Sequence, residues 1–170
     1  ASNDMGDRRD MLQEALMAQR QMLIDAIGKS GEVIPQAFTP YKEVLDVYDE
    51  GLKLPDDVTI IWPDDNYGYM KRLSSPKEQK RSGRSGVYYH ASYLGKPHDH
   101  LWMNTVSPTL MYEELRKAYD ATADRIWLLN AGDIKSCEFA VDYFLTMAFD
   151  IDSFNFERAA NYRAEWLCSM

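Results

Sequence analysis

The sequence predicts an α/β fold in which parallel strands are joined by helices. Segments with apolar residues at helical spacing alternate with short strand-like runs, in the order α-β-α-β-β-α-β-α-α. The run at residues 58–62 is apolar or β-branched at every position, which is typical of a parallel strand covered on both faces. Such strands and helices would form about half of a (β/α)8 barrel or a small doubly wound sheet, and composition does not separate the two.

The N-terminal half is predicted to contain two helices and two strands. Helical periodicity covers residues 10–27, where glycines follow and end the helix. A strand-like run then extends over residues 33–38. A second amphipathic helix is predicted at residues 41–51, with Gly51 as its C′ residue, and the second strand occupies residues 58–62.

The C-terminal half begins with an irregular segment, residues 69–86, that carries six basic side chains among serines and glycines. One interpretation is a mobile, solvated loop. The third strand is predicted at residues 87–94, and a third helix opens with Ser107 as N-cap and Pro108 at its first position. The remaining elements are a strand at 125–129 and helices at 134–149 and 156–167.

Composition and charge argue against several classes of function. At 170 residues the chain is long enough for one domain with a substantial core. A formal net charge of −8 argues against nucleic-acid binding and gives no sign of a membrane-surface protein. No run of about 18 apolar residues occurs, so no membrane span is predicted. The glycines form neither a GxGxxG turn nor a GxxxxGK[ST] loop, and no nucleotide cofactor is predicted.

Polar side chains follow the C-terminal end of each predicted strand. They are Tyr41 and Glu43 after the first strand, Asp64, Asp65 and Asn66 after the second, His90 in the third, and Asn130 and Asp133 after the fourth. Because the carboxyl ends of parallel strands lie on one face, where ligands bind in α/β folds, these residues predict a binding site. The alternative is that they cap helices and turns, and Asp65 is the acid expected to hold the turn.

Individual residues have structural explanations beside the functional ones. His90 could be a hydrogen-bonded core histidine, and Trp62 and Trp102 could stack on a sugar ring or fill the core, whereas Trp127 is expected in the core. The H-x-H sequence at residues 98–100 lacks a third ligand at a known spacing, so no metal is predicted, and the segment is interpreted as an active-site loop or a structural hydrogen-bond network. Acids, amides and aromatics without a nucleotide motif favour carbohydrate chemistry, because glycosidases act through two positioned acids.

Four segments of the chain resemble the catalytic domain of glycoside hydrolase family 115. They are LPDDVTIIWPDDNYGY at 54–69, RSGVYYHASYLGKPHDHLW at 84–102, SPTLMYEELRKAY at 107–119 and RIWLLNAGDIK at 125–135. The resemblance implies a xylan α-1,2-glucuronidase that removes glucuronic acid or its 4-O-methyl ether from xylose in glucuronoxylan, inverting the anomeric carbon and using no cofactor. It suggests a secreted or periplasmic protein.

The same resemblance implies that residues 1–170 are part of a larger multidomain protein. The chain resembles the C-terminal half of a (β/α)8 TIM barrel, and its partners would be the remaining barrel half, the flanking domains, and glucuronoxylan or aldouronic oligosaccharides. The family's Gly-rich, Asp-bearing loop with the general acid would fall before Ala1. We therefore expect activity only in the full-length protein.

Carried over position by position, the resemblance also assigns roles to residues of the predicted site. Glu43 is the first candidate for the general base and Asp64 the second, and an inverting pair is expected about 6.5–9.5 Å apart. The substrate-binding residues would be Tyr41, Asn66, His90 and Asn130. Arg81 or Arg84, or a side chain outside this chain, would bind the uronate carboxylate.

Two other kinds of function remain open from the sequence. A non-catalytic α/β module could bind a carbohydrate or a partner at the same strand ends, or a family member could have lost activity. Convergence of Glu43 and Asp64 on one cavity would favour the enzyme, because a binding module does not need both acids.

Overall fold

A computed structural model describes residues 2–28, 34–96, 98–102 and 104–169 of the chain. The elements are α1 (Ser2–Ile27), β1 (Ala37–Phe38), α2 (Glu43–Asp49), β2 (Thr59–Pro63), β3 (Ser85–His90), α3 (Pro108–Asp120), β4 (Ala123–Asn130), α4 (Ile134–Phe149) and α5 (Phe156–Ser169). Two short 3-10 helices, Glu78–Lys80 and Ile151–Ser153, complete the order.

The four strands form one parallel sheet in the order β1-β2-β3-β4. The spatial order is the chain order, as in consecutive strands of a (β/α)8 barrel, whereas a doubly wound sheet reverses direction at a switch point. The α/β prediction of parallel β/α units is therefore confirmed, and the strand order is that of part of a barrel.

The core lies between one face of the sheet and the helices that follow the strands. Trp62 in β2 and Tyr89 in β3 are buried there with Leu115 of α3 and Phe144 of α4. Side chains alternate between the two faces of a strand, so one set of residues packs on the helices and the other set points away from them. Leu128 belongs to the second set and is 46% exposed, which leaves apolar surface on that face.

The boundaries of three elements differ from the predictions by more than two residues. The first strand is limited to Ala37–Phe38, and Val33 of the predicted run lies outside the described residues. β3 ends at His90 rather than at residue 94, because the chain turns back and Tyr93 pairs with His100 in an antiparallel bridge. α1 begins at Ser2, well before residue 10.

No helix in the described part of the chain is long and apolar enough to cross a membrane.

The irregular basic segment is packed against the domain rather than solvated throughout. The Arg72 guanidinium lies 4.4 Å from the Trp62 ring centroid and pairs with Glu78 at 2.8 Å. The Trp62 Nε1 donates to the buried Ser74 hydroxyl, and the Tyr48 hydroxyl donates to Glu78. Trp62 is fully buried, so this tryptophan fills the core and does not form a sugar platform.

Candidate active site

The turn after β2 is organised around the carboxylate of Asp64. Its Oδ1 accepts hydrogen bonds from the backbone N–H of Asn66 (3.0 Å) and from Nδ1 of His90 (2.5 Å). Its Oδ2 accepts from the backbone N–H groups of Gly68 (3.0 Å) and His90 (3.2 Å). The side chain is 0% exposed. Both oxygens are thus engaged inside the protein, and Asp64 fixes the position of His90.

Asp65 and two left-handed residues complete this turn. Asp65 Oδ1 accepts two backbone N–H groups of the turn, at 3.0 and 3.1 Å, so Asp65 holds the turn as expected. Asn66 and Gly68 have φ angles of 73° and 96°, a region that Asn and Gly tolerate best. A Cβ at Gly68 would lie 2.8 Å from the Tyr89 hydroxyl, so any larger residue would displace this turn.

Three tyrosine rings surround the imidazole of His90, which is itself 1% exposed. The centroid distances are 4.5 Å to Tyr88, 5.7 Å to Tyr93 and 6.1 Å to Tyr41. Because the Asp64 carboxylate accepts from Nδ1 of His90, Nδ1 carries a proton, and Nε2 is the second polar atom of the ring. That Nε2 has no hydrogen-bond partner among the described residues.

Tyr41 and Asn66 connect the loop after β1 to the turn after β2. The Tyr41 hydroxyl donates to Asn66 Oδ1 at 2.7 Å, and burial raises the pKa of this hydroxyl, which keeps it protonated. Nε2 of His100 donates to the backbone oxygen of Asn66 at 2.7 Å. Within the described ranges the amide N–H groups of Asn66 have no acceptor, so they remain available to a ligand.

Asn130 joins the same cluster from the end of β4. Its Nδ2 donates to the Tyr88 hydroxyl at 2.9 Å, and Tyr88 lies two residues before His90 on the same face of β3. Among the residues described, the Tyr88 hydrogen and Asn130 Oδ1 have no partner. Asn66 Nδ2 and His90 Nε2 likewise have no hydrogen-bond partner among the described residues. These free polar atoms lie next to aromatic rings, an arrangement that suits the hydroxyls and the ring faces of a sugar.

Glu43 stands apart from this network. It is the first residue of α2, two positions after Tyr41, and its side chain is exposed. No hydrogen bond or ion pair engages its carboxylate in the part of the chain that the structure describes. An exposed, unengaged carboxylate beside the cluster is compatible with the predicted general base, and that role stays a prediction.

The two arginines expected to bind the uronate lie elsewhere. Arg81 donates to the carbonyl oxygens of Pro55 (2.6 Å) and Val58 (3.1 Å), which precede β2. Arg84 precedes β3 and pairs with Asp124 near the start of β4, at 2.6 Å. Both arginines are therefore fixed at the amino ends of the strands, opposite the polar cluster, and the interpretation that either binds the ligand's carboxylate is corrected.

The H-x-H segment, in which His98 is exposed and His100 is buried, packs on the cluster. The ring of His98 lies 5.0 Å from that of Tyr67, and the Tyr67 hydroxyl donates to the His98 backbone oxygen. Among the described residues no group of three His, Cys, Asp or Glu side chains is placed to hold a metal ion. Trp102, in the same loop, is 75% exposed, whereas Trp127 packs against the core at 5.7 Å from Phe144.

The structure brings together five of the six residues predicted for the site, namely Tyr41, Asp64, Asn66, His90 and Asn130. The cluster also contains Tyr93 and His100, and sequence reasoning missed Tyr88 and Lys42 as members of it. Tyr88 could have been found from the two-residue alternation of the strand, which places it beside His90. Lys42 had no such signal, because its position depends on the turn between β1 and α2.

Comparison with known proteins identifies the family. The model of glycosyl hydrolase family 115 matches residues 1–170. The chain is also similar to BtGH115A, a solved structure described as a family GH115 4-O-methyl-α-glucuronidase with specificity for decorated arabinogalactans, at 41% sequence identity and a TM-score of 0.88. That similarity covers 95% of this chain and 22% of BtGH115A. No curated protein sequence matches this chain.

The family match extends over all residues of the chain, and the sheet and helices superpose on a solved member of the family. The chain spans about a fifth of the length of that member, at 22%. This chain therefore belongs to glycosyl hydrolase family 115.

Proposed function

We propose that this chain is part of a glucuronidase that hydrolyses the bond between a (4-O-methyl)-glucuronic acid branch and a plant polysaccharide. The observation that carries the proposal is the cluster of Asn66, Tyr88, His90 and Asn130 at the carboxyl ends of the strands, with polar atoms left unfilled. Because the chain belongs to a glycoside hydrolase family, we interpret this cluster as a site for a sugar whose glycosidic bond is hydrolysed.

The cluster supports binding of one sugar ring in a fixed orientation. Tyr41 and Tyr88 offer aromatic surface, while Asn66 Nδ2 and Asn130 Oδ1 offer one donor group and one acceptor to hydroxyls. Because Tyr41 holds Asn66 at 2.7 Å and Tyr88 holds Asn130 at 2.9 Å, these amides need little reordering when a sugar binds.

The proposed chemistry is inverting hydrolysis with Glu43 as general base. Its carboxylate accepts a proton from water as the water attacks the anomeric carbon, and a general acid outside this chain protonates the leaving oxygen. Asp64 was the second candidate for the base, but its four hydrogen bonds support a different role. We propose that Asp64 is a positioning residue that keeps Nε2 of His90 directed at the sugar.

Two polysaccharides are candidates for the substrate. The first is glucuronoxylan with α-1,2-linked branches on xylose, which the resemblance of the sequence motifs implies. The second is decorated arabinogalactan, which is favoured by the similarity of this chain to BtGH115A, described as specific for decorated arabinogalactans. Both substrates present a uronic acid to the site, so the cluster described above fits either, and they differ in the main chain to which that sugar is attached.

The test is release of uronic acid by the intact protein. The protein is incubated separately with glucuronoxylan and with decorated arabinogalactan, and free uronic acid is quantified over time. Proton NMR of the first product distinguishes inversion, which gives the β-anomer from an α-linkage, from retention. Binding of either polymer without release would contradict the enzyme and indicate a carbohydrate-binding module.

A further inference from the structure

Lys42 occupies a backbone conformation that is unusual for a side-chain-bearing residue. Its φ and ψ are 52° and −125°, and the backbone N–H of Val44 donates to the Tyr41 oxygen at 3.1 Å. These values are those of the first central position of a type II′ turn, where Gly predominates. Residues held in such conformations are strained and are frequent at functional sites.

The turn aims the Lys42 side chain at the aromatic cluster. Its Nζ lies 5.2 Å from the ring centroid of Tyr41 and 5.6 Å from that of Tyr93. Both rings also flank His90. A hydrogen bond with the Tyr93 hydroxyl, and the neighbouring Tyr41, raise the pKa of the Lys42 ammonium, so it is charged at neutral pH.

The ammonium is not neutralised by a neighbouring acid. Among the described residues no carboxylate forms an ion pair with Lys42, although Glu43 is adjacent to it in the chain. An ammonium has three N–H donors, and among the described residues only the Tyr93 hydroxyl is near enough to engage one of them. Lys71, another lysine over a tyrosine ring, differs because it pairs with Asp65 at 3.5 Å.

We propose that Lys42 binds the carboxylate of the uronic acid and so selects uronic acids over neutral sugars at this site. The inference rests on the proposed function, since it names the group that recognises the charged part of that substrate. Lys42 stands beside the rings that would hold the sugar, and its charge complements the one anionic group that separates glucuronic acid from glucose.

The test compares two matched substrates in the intact protein: an aldouronic oligosaccharide with a free carboxylate, and the same oligosaccharide with that carboxylate converted to its methyl ester. We expect the native protein to prefer the free acid by about 10- to 100-fold in kcat/KM, because a charge-assisted hydrogen bond is lost in the ester. Lys42→Met should reduce this preference to about one, mostly through KM for the free acid.

Three control variants separate charge from backbone. Lys42→Arg should keep the preference, and Lys42→Gly, which relieves the positive φ but removes the ammonium, should lose it. Lys71→Met removes a lysine that is already paired, so its preference should match that of the native protein. A Lys42→Met protein that still prefers the free acid as strongly as the native protein would overturn the inference.

Failure of the proposed function is a separate outcome. If the native protein releases no uronic acid from either oligosaccharide, hydrolysis is refuted and Lys42 is tested by calorimetry with glucuronic acid and glucose. The inference then requires that the intact protein bind glucuronic acid about 10-fold more tightly than glucose, and that Lys42→Met abolish the difference. Equal binding of the two sugars by the native protein would overturn it.

Discussion

Replacing Asp64 with Asn is expected to destabilise the turn after β2 far more than the same change at Asp65. Asp64 uses both carboxylate oxygens, each of which accepts two hydrogen bonds from buried N–H groups. In Asn, one of the two terminal atoms becomes a donor, and two N–H groups lose their acceptor. Each buried donor left unpaired costs about 1–3 kcal/mol, so Asp64→Asn should cost about 2–6 kcal/mol.

Asp65 provides the matched control, because only one of its carboxylate oxygens accepts hydrogen bonds from the backbone. Its Oδ1 accepts both backbone bonds, and an Asn side chain can keep them. The change removes only the 3.5 Å contact between Oδ2 and the mostly exposed Lys71 ammonium. Such surface ion pairs contribute at most about 1 kcal/mol, so Asp65→Asn should be close to neutral.

The two variants are compared in the intact protein by urea unfolding and by hydrogen exchange of the peptide that covers residues 63–70. For Asp64→Asn we expect exchange of these amides to rise by at least about 10-fold, together with loss of uronic acid release as His90 loses its partner. Equal costs for the two substitutions would refute the assignment of distinct roles to the two acids.

Three further predictions concern chemistry, backbone and pH. Glu43→Gln should lower kcat by about 10²–10⁴-fold with little change in unfolding midpoint, as the side chain is exposed; a normal kcat would exclude it as the base. Gly68→Ala should cost at least about 1–3 kcal/mol in urea unfolding, because φ is 96° and the Cβ would meet the Tyr89 hydroxyl at 2.8 Å. Burial raises the pKa of Glu78, but the hydrogen bonds of Arg72 and its other neighbours outweigh this and lower it to about 2 from 4.5. The stability that Glu78 contributes is thus present above pH 4.5 and lost as pH falls towards 2, and Glu78→Gln should flatten that acid dependence of unfolding.

Much of the fold follows from local patterns in the sequence. The apolar run before WPDDNYGY gave β2 to within one residue, and Ser107-Pro108 marked the start of α3, because strand composition and helix capping are local properties. The first strand was less predictable, since only Ala37 and Phe38 pair with β2 and such pairing depends on the register of the neighbouring strand.

The site was predictable as a set of residues but not as a set of roles. The expectation that polar groups at the strand ends share one face agrees with the positions of Asn66, His90 and Asn130 in the structure. The hydrogen bonds that His90 donates to Asp64 connect residues 26 positions apart, and nothing in either local sequence encodes them. The position of Arg84 directly before β3, by contrast, already placed it at the amino end of that strand, away from the site.

The proposed sugar-binding site is tested most directly by a crystal structure of the intact Glu43→Gln protein with a 4-O-methylglucuronic acid-bearing oligosaccharide. We predict that the uronic acid lies against Tyr41 and Tyr88, with hydroxyls bonded to Asn66 and Asn130 and its carboxylate at Lys42. A sugar bound at another face of the domain, with these side chains unoccupied, would contradict the central claim.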